Sequence, residues 1–241
     1  MVCEALEAGK HVFVEKPLAM NHEELDQVAD AMKRNSDQIL MVGFNRRFSP
    51  HSVQIKKWLG SNPGPKSIVL TINAGAIPAN HWTQNLEVGG GRIIGEGCHF
   101  IDLARYFADS PITSHHAVPM CGADGRLGDT VSIQLGFADG SVGTIHYLAN
   151  GSKNFPKERI EIFSGGKVLT CDNFRKSFEI GGKGKKKTSS QDKGHADELK
   201  AFINAIGSGT EWPIPADELL EVSRVTIDVA ASVHKTLASF S

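Results

Sequence analysis

Apolar positions in the first 45 residues alternate between two rhythms. Residues 2–8 show a short helical pattern that Gly9 closes as a C-cap. Residues 11–14 are a continuous apolar run, as in a buried parallel strand, and Pro17 ends it. Asn21 followed by Glu24 has capping-box spacing, and Leu25, Val28, Ala29 and Met32 then recur at three- and four-residue steps. Residues 39–44 are a second buried run. Strand, helix, strand with short connections is a βαβ unit.

From Arg46 the rhythm changes. A helix over 52–59 precedes a strand over 67–74 and a helix over 97–107. Strand-like runs follow at 114–119, 130–137, 142–149, 159–163, 167–171 and 177–180, several joined by tight turns such as Gly165-Gly166. Short turns between consecutive strands predict a large, mostly antiparallel open sheet. Two helices close the chain, 195–206 stopped by Gly207, and 217–237. The fold class is therefore α/β to α+β: a remnant of a parallel sheet over 1–45, then a second domain over 46–241.

Composition narrows the function classes. Of 241 residues, 40% are hydrophobic and 22% charged, with net charge −1, so nothing draws the chain to nucleic acid or an anionic membrane. Cys3, Cys98, Cys121 and Cys171 lie far apart, which indicates neither a disulfide framework nor a zinc knuckle. No apolar run approaches the roughly 20 residues of a membrane span. Glu4 and Glu7 near the start do not suit a signal peptide. A soluble cytoplasmic protein is expected. The lysine-rich stretch 181–193 reads as a solvated loop, or alternatively as a basic lid over a phosphorylated ligand.

Four segments carry candidate chemistry. Glu15-Lys16-Pro17 follows a parallel strand, where α/β sheets present ligands, although a Glu-Lys pair there also suits a structural role. Gly89-Gly90-Gly91 allows close backbone approach and leads into a helix on which Glu96, His99 and Asp102 fall at i, i+3, i+6. His99 between two acids suits a proton shuttle; a buried histidine holding the helix end is the alternative. Neighbouring helix positions do not converge on one ion, so no metal site is assigned to Glu96, Cys98 and His99. Arg46 and Arg47 lie where the two rhythms meet, placed to hold a phosphate or carboxylate or to stand solvated. Trp82, beside His81 in a proline-punctuated loop, suits either stacking on a sugar or packing.

These motifs, in this order, resemble the glucose–fructose oxidoreductase/inositol dehydrogenase/rhizopine-catabolism (Gfo/Idh/MocA) family. The resemblance rests on residues 8–19, on Gly43 through Phe48, and on Gly89 through Asp102. It implies an N-terminal Rossmann domain binding NAD or NADP, a substrate domain that often mediates homo-oligomers, and oxidation of a sugar, nucleotide-sugar or polyol hydroxyl. It implies catalytic roles for Lys16 and His99, cofactor contacts for Glu15, Lys16, Pro17 and Arg46, and substrate contacts for Glu96, Asp102, Trp82 and Arg47. Two departures stand out. The family's aspartate four residues before the histidine is Gly95 here, with an acid at Glu96 instead. No GxGxxG occurs, so only the last two βα steps of the Rossmann domain are expected in this chain, and independent dinucleotide binding is not expected. The rival expectation is a non-catalytic or truncated substrate-domain protein serving binding or assembly. Truncation also predicts exposed apolar surface along 12–14 and 39–42.

Overall fold

The computed structural model describes residues 1–60, 64–120, 129–209 and 212–239, so Cys121 lies outside the described residues. A short helix α1 (Val2–Glu7) leads to strand β1 (Val12–Val14), helix α2 (His22–Arg34) and strand β2 (Leu40–Val42). β1 and β2 pair in parallel, with Val12 opposite Leu40 and Val14 opposite Val42. Asn21 caps α2 by accepting from the Glu24 backbone amide, while the Glu24 carboxylate reaches back to the amide of Met20 rather than of Asn21. The reciprocal satisfaction of helix-end donors expected from the spacing is thus present, displaced by one residue.

A tight turn over Asn45–Phe48 and helix α3 (Pro50–Leu59) lead to strand β3 (Ser67–Asn73). A one-turn π-helical segment (Ile93–Gly97) runs directly into helix α4 (Cys98–Ala108). Strands β4 (Ile112–Pro119), β5 (Val131–Phe137), β6 (Val142–Leu148), β7 (Glu158–Ser164), β8 (Lys167–Asp172), β9 (Lys176–Ile180) and β10 (Lys185–Lys187) complete an eight-stranded sheet. Its order is β10-β9-β8-β7-β3-β6-β5-β4, antiparallel except where β3 lies parallel to β6. Helices α5 (His195–Ser208) and α6 (Ala216–Ala238) end the described chain. None of the described helices is long and apolar enough to cross a membrane.

Alternation sets the layers. Ile68, Leu70 and Ile72 of β3, Ile133 and Leu135 of β5, Ile145 and Tyr147 of β6, and Ile160 and Ile162 of β7 are all buried on one face. That face packs against α3, α4 and α6. Residues between them face outward, as strand geometry requires.

Three expectations need correction. Gly207 does not stop α5, which continues to Ser208 before Gly209 adopts a left-handed conformation (φ 61°). An isolated glycine costs only about 1 kcal/mol inside a helix and does not by itself end one. The lysine-rich stretch is not all loop, because Lys185–Lys187 pair with Lys176–Phe178 as the sheet's edge strand. Lysine on an edge strand discourages further pairing without preventing this one. The surface expected along 39–42 is covered, with Leu40, Met41 and Val42 fully buried, whereas Val12, Phe13 and Val14 stay half-buried, Phe13 meeting Phe202 of α5 at 5.7 Å. A helix from the far end of the chain supplies the cover.

Candidate functional site

The end of β1 and the start of α4 meet across a cavity of about 230 Å3, lined by Lys16, Ile77, His81, Arg92, Glu96 and His99, among others. Lys16 donates a short hydrogen bond to the carbonyl of Gly95. The residue that replaces the expected aspartate therefore still engages the lysine, through its backbone. Gly95 itself has room for a side chain, since a Cβ there would come no closer than 3.6 Å to the Gly89 carbonyl, whereas a Cβ on Gly89 would fall 2.4 Å from the Thr83 Cα. The glycine-rich segment is thereby pressed against the Trp82 loop.

His99 is buried, with its ring edge-on to Phe44 at 6.2 Å, and its Nδ1 has no hydrogen-bond partner among the described residues. Burial, then the surrounding charges of Arg46, Lys16, Lys193 and His195, hold its pKa well below the ordinary histidine value. The ring is neutral at physiological pH. It caps no helix end, in contrast to the alternative considered from sequence.

Glu96 is the charged hub of the cavity. Its carboxylate accepts from Lys157 Nζ at 2.6 Å, from the Tyr147 hydroxyl and from Arg92 Nη2 at 3.3 Å. Burial opposes its ionisation, but Lys157, Tyr147 and Arg92 win and bring the carboxyl down to about 2. Glu96 is thus a fixed anion and no proton shuttle. Arg92 is itself anchored to the carbonyl of Gly75 at 2.6 Å and stacks over the Tyr147 ring.

Arg47 and Asp102, expected as substrate contacts, do not line this cavity. They form a two-pronged ion pair with each other, buried away from the cavity, and Arg47 also meets Glu218 at 3.0 Å. Both side chains are about as enclosed as any in the protein, and a buried charge is tolerable only when paired. Arg46 likewise holds Glu158 with both arms, at 2.9 and 3.0 Å, over the Phe100 ring. Its charge is also among those that lower the His99 pKa. Trp82 is 60% exposed and lines a neighbouring cavity of about 400 Å3, joined to the first through His81, which lines both. Glu15, at the strand end, lies beside Gly43, where a Cβ would come within 3.1 Å of its carboxylate. Pro17 follows Lys16 through a cis peptide bond.

Sequence reasoning missed Arg92, Tyr147, Lys157 and Glu198. Tyr147 sits at an inward position of β6, so its burial was predictable, but its Glu96 partner was not. Lys157 arrives on a loop with no local signal. Glu198, in the first turn of α5, is buried, and its Oε2 has no partner among the described residues. Burial, then the charges of Glu15 and Asp102, push its carboxyl up to about 8. A folded-state value above the unfolded one means that the folded chain keeps a proton the unfolded chain loses. Stability contributed by that proton is complete below about 4.5 and is lost as pH rises to about 8. Glu198→Gln is expected to flatten the fall in melting temperature across that window. An unchanged pH profile in the variant would contradict the assignment.

Comparison with known proteins places these features. A family model described as an oxidoreductase family with an NAD-binding Rossmann fold matches residues 1–44, and a GFO/IDH/MocA C-terminal domain model matches residues 65–165. Myo-inositol 2-dehydrogenase from Thermotoga maritima is 29% identical over 223 residues, covering 87% of this chain and 66% of that protein. Inositol 2-dehydrogenase from Rhizobium meliloti is 30% identical over 220 residues, covering 85% and 65%. The chain thus spans about two thirds of the length of these relatives. A solved levoglucosan dehydrogenase in complex with NADH and L-sorbose shares the fold, with TM-score 0.79 at 21% identity over 97% of this chain and 74% of that one.

Proposed function

The chain belongs to the Gfo/Idh/MocA oxidoreductase family, and on that premise we propose that it carries the substrate site of a nicotinamide-dependent dehydrogenase for a secondary alcohol of a sugar, nucleotide sugar or polyol. Residues 1–45 belong to the dinucleotide-binding domain and 46–241 to the substrate domain in this reading. The observation that carries it is the convergence of Lys16 and His99 on one cavity.

Lys16, held by the Gly95 carbonyl, donates a hydrogen bond to the substrate hydroxyl oxygen and fixes its position. His99, held neutral by its surroundings, accepts the hydroxyl proton. Glu96 keeps acceptor capacity for a second substrate hydroxyl, because a carboxylate offers about four lone-pair sites. The residues present fit the nicotinamide end of a dinucleotide: Glu15, Lys16 and Pro17 lie at the C-terminal end of a parallel strand, beside the unpartnered His99 nitrogen. They do not fit its pyrophosphate end, since residues 1–45 hold no glycine-rich turn opening a helix. When bound, NAD or NADP supplies the hydride acceptor.

The alternative expectation is a non-catalytic substrate-binding or assembly module. Titrating NADH and NADPH while following nicotinamide fluorescence separates the two. The enzyme reading expects a weak but saturable signal, with Kd on the order of 1 mM, that disappears in Lys16→Ala. No saturation with either cofactor would leave the module reading standing. The outer sheet face supports a homo-oligomer in both readings. By register, Val142, Ser67, Phe163, Val168 and Ile180 form one row across it, apolar apart from Ser67, with Val142, Phe163 and Ile180 exposed. A monomer by light scattering would contradict that assembly.

A further inference from the structure

We infer that the open cavity beyond Lys157 is a subsite for a phosphate carried by the substrate, outside the reacting sugar or polyol ring. The inference rests on the reading of the Lys16–His99 cavity as the substrate site. This second cavity is about 490 Å3 and is lined by Asn73, Lys153, Phe155, Lys157 and Asn173, among others. Two lysines and no acid line it, in a chain whose net charge is −1.

Lys157 joins the two cavities. Its ammonium bonds Glu96, which lines the first cavity, while the lysine itself lines the second. An ammonium has three donors, so one bond to Glu96 leaves two. Lys153 forms no ion pair among the described residues. Its stem lies against Gly75, where a Cβ would come within 3.2 Å of the Lys153 Cγ and Cε, so the glycine makes room for it.

The loop bearing these lysines is pinned. Asn73 Nδ2 donates to the carbonyls of Ser152 at 2.7 Å and Phe155 at 3.2 Å. A Cβ on Gly151 would meet Asn73 Oδ1 at 2.0 Å, so only glycine permits that approach. Phe155 then stands 58% exposed at the cavity, an apolar ring for the carbon face of a ligand. Two cations on a fixed loop, beside a ring platform and next to a hydroxyl-handling cavity, match a phosphorylated carbohydrate better than a neutral one. A phosphate near two ammonium groups forms charge-assisted hydrogen bonds that a hydroxyl cannot equal.

Isothermal titration without any dinucleotide tests this, comparing D-glucose, D-glucose 6-phosphate, D-glucose 1-phosphate and inorganic phosphate. At least one sugar phosphate is expected to bind ten-fold or more tighter than both glucose and inorganic phosphate. Lys153→Ala is expected to remove most of that gain and Lys153→Arg to keep it. No phosphate-dependent gain overturns the inference. Equal affinity for the sugar phosphates and inorganic phosphate overturns it too, since that describes a site for free anions. A gain that survives Lys153→Ala, whether or not Lys185→Ala in the edge strand abolishes it, also overturns it. Because no NADH is present, failure here leaves the dehydrogenase reading intact, and failure of the cofactor titration leaves this result interpretable.

Discussion

Replacing Arg47 by alanine is expected to destabilise the protein by about 3–5 kcal/mol, because it strands a buried carboxylate. Arg47 joins the turn over 45–48, helix α4 through Asp102 and helix α6 through Glu218. Arg105 extends the network, meeting Glu218 at 3.4 Å and Glu221 at 3.1 Å. Removing the guanidinium leaves Asp102, fully enclosed, with no cation to bond it directly. For a chain of this size the loss corresponds to a fall in melting temperature of roughly 6–20 °C. Changing both partners together, Arg47→Met with Asp102→Leu, is expected to cost much less, since no unpaired charge remains. Thermal or urea unfolding of the two variants decides the matter. A single variant as stable as the parent would mean that the pair is not buried in solution.

The second large effect concerns turnover. His99→Ala is expected to lower the rate of NAD(P)-linked oxidation of an accepted polyol by about 10²–10⁴-fold, the range for loss of a positioned general base. Substrate KM should change little, because the proton moves only as the reaction proceeds. His99 also offers a readout that needs no turnover. Its ring is surrounded by Arg46, Lys16, Lys193 and His195 and buried, so its proton NMR signal is expected not to titrate between about pH 6 and 8. A midpoint near the ordinary histidine value would remove the physical ground for a neutral base, and an unimpaired His99→Ala enzyme would end its assignment.

Legibility in the sequence followed the range of the interactions. Asn21 and Glu24 announced α2 because capping acts within one helical turn. The inward row of β3, Ile68, Leu70 and Ile72, was readable because side chains alternate along any strand. The even spacing of Glu96, His99 and Asp102 was a guide for only two of them, since Glu96 and His99 line one cavity while Asp102 turns to Arg47. It suggested one shared face, yet Glu96 lies in the π-helical segment while His99 and Asp102 lie in α4, and the three acquire different partners. Arg46 and Arg47, adjacent in sequence, bind acids from β7 and α4 respectively. Nothing local distinguishes a solvated arginine from one that closes a buried pair.

By itself the sequence determined the βαβ opening, the mostly antiparallel sheet, the family and the two residues, Lys16 and His99, that line the proposed site. These depend on periodicity, caps and short motifs, all encoded within a few residues of each other. Only the tertiary structure decided that Gly95 holds Lys16 through its carbonyl and that Lys157 and Tyr147 fix Glu96 as an anion. It also decided that α5 covers the N-terminal strands and buries Glu198. Those outcomes depend on which charges and apolar surfaces meet after distant segments pack. Burial then changes the energy of each charge by more than its sequence neighbours can.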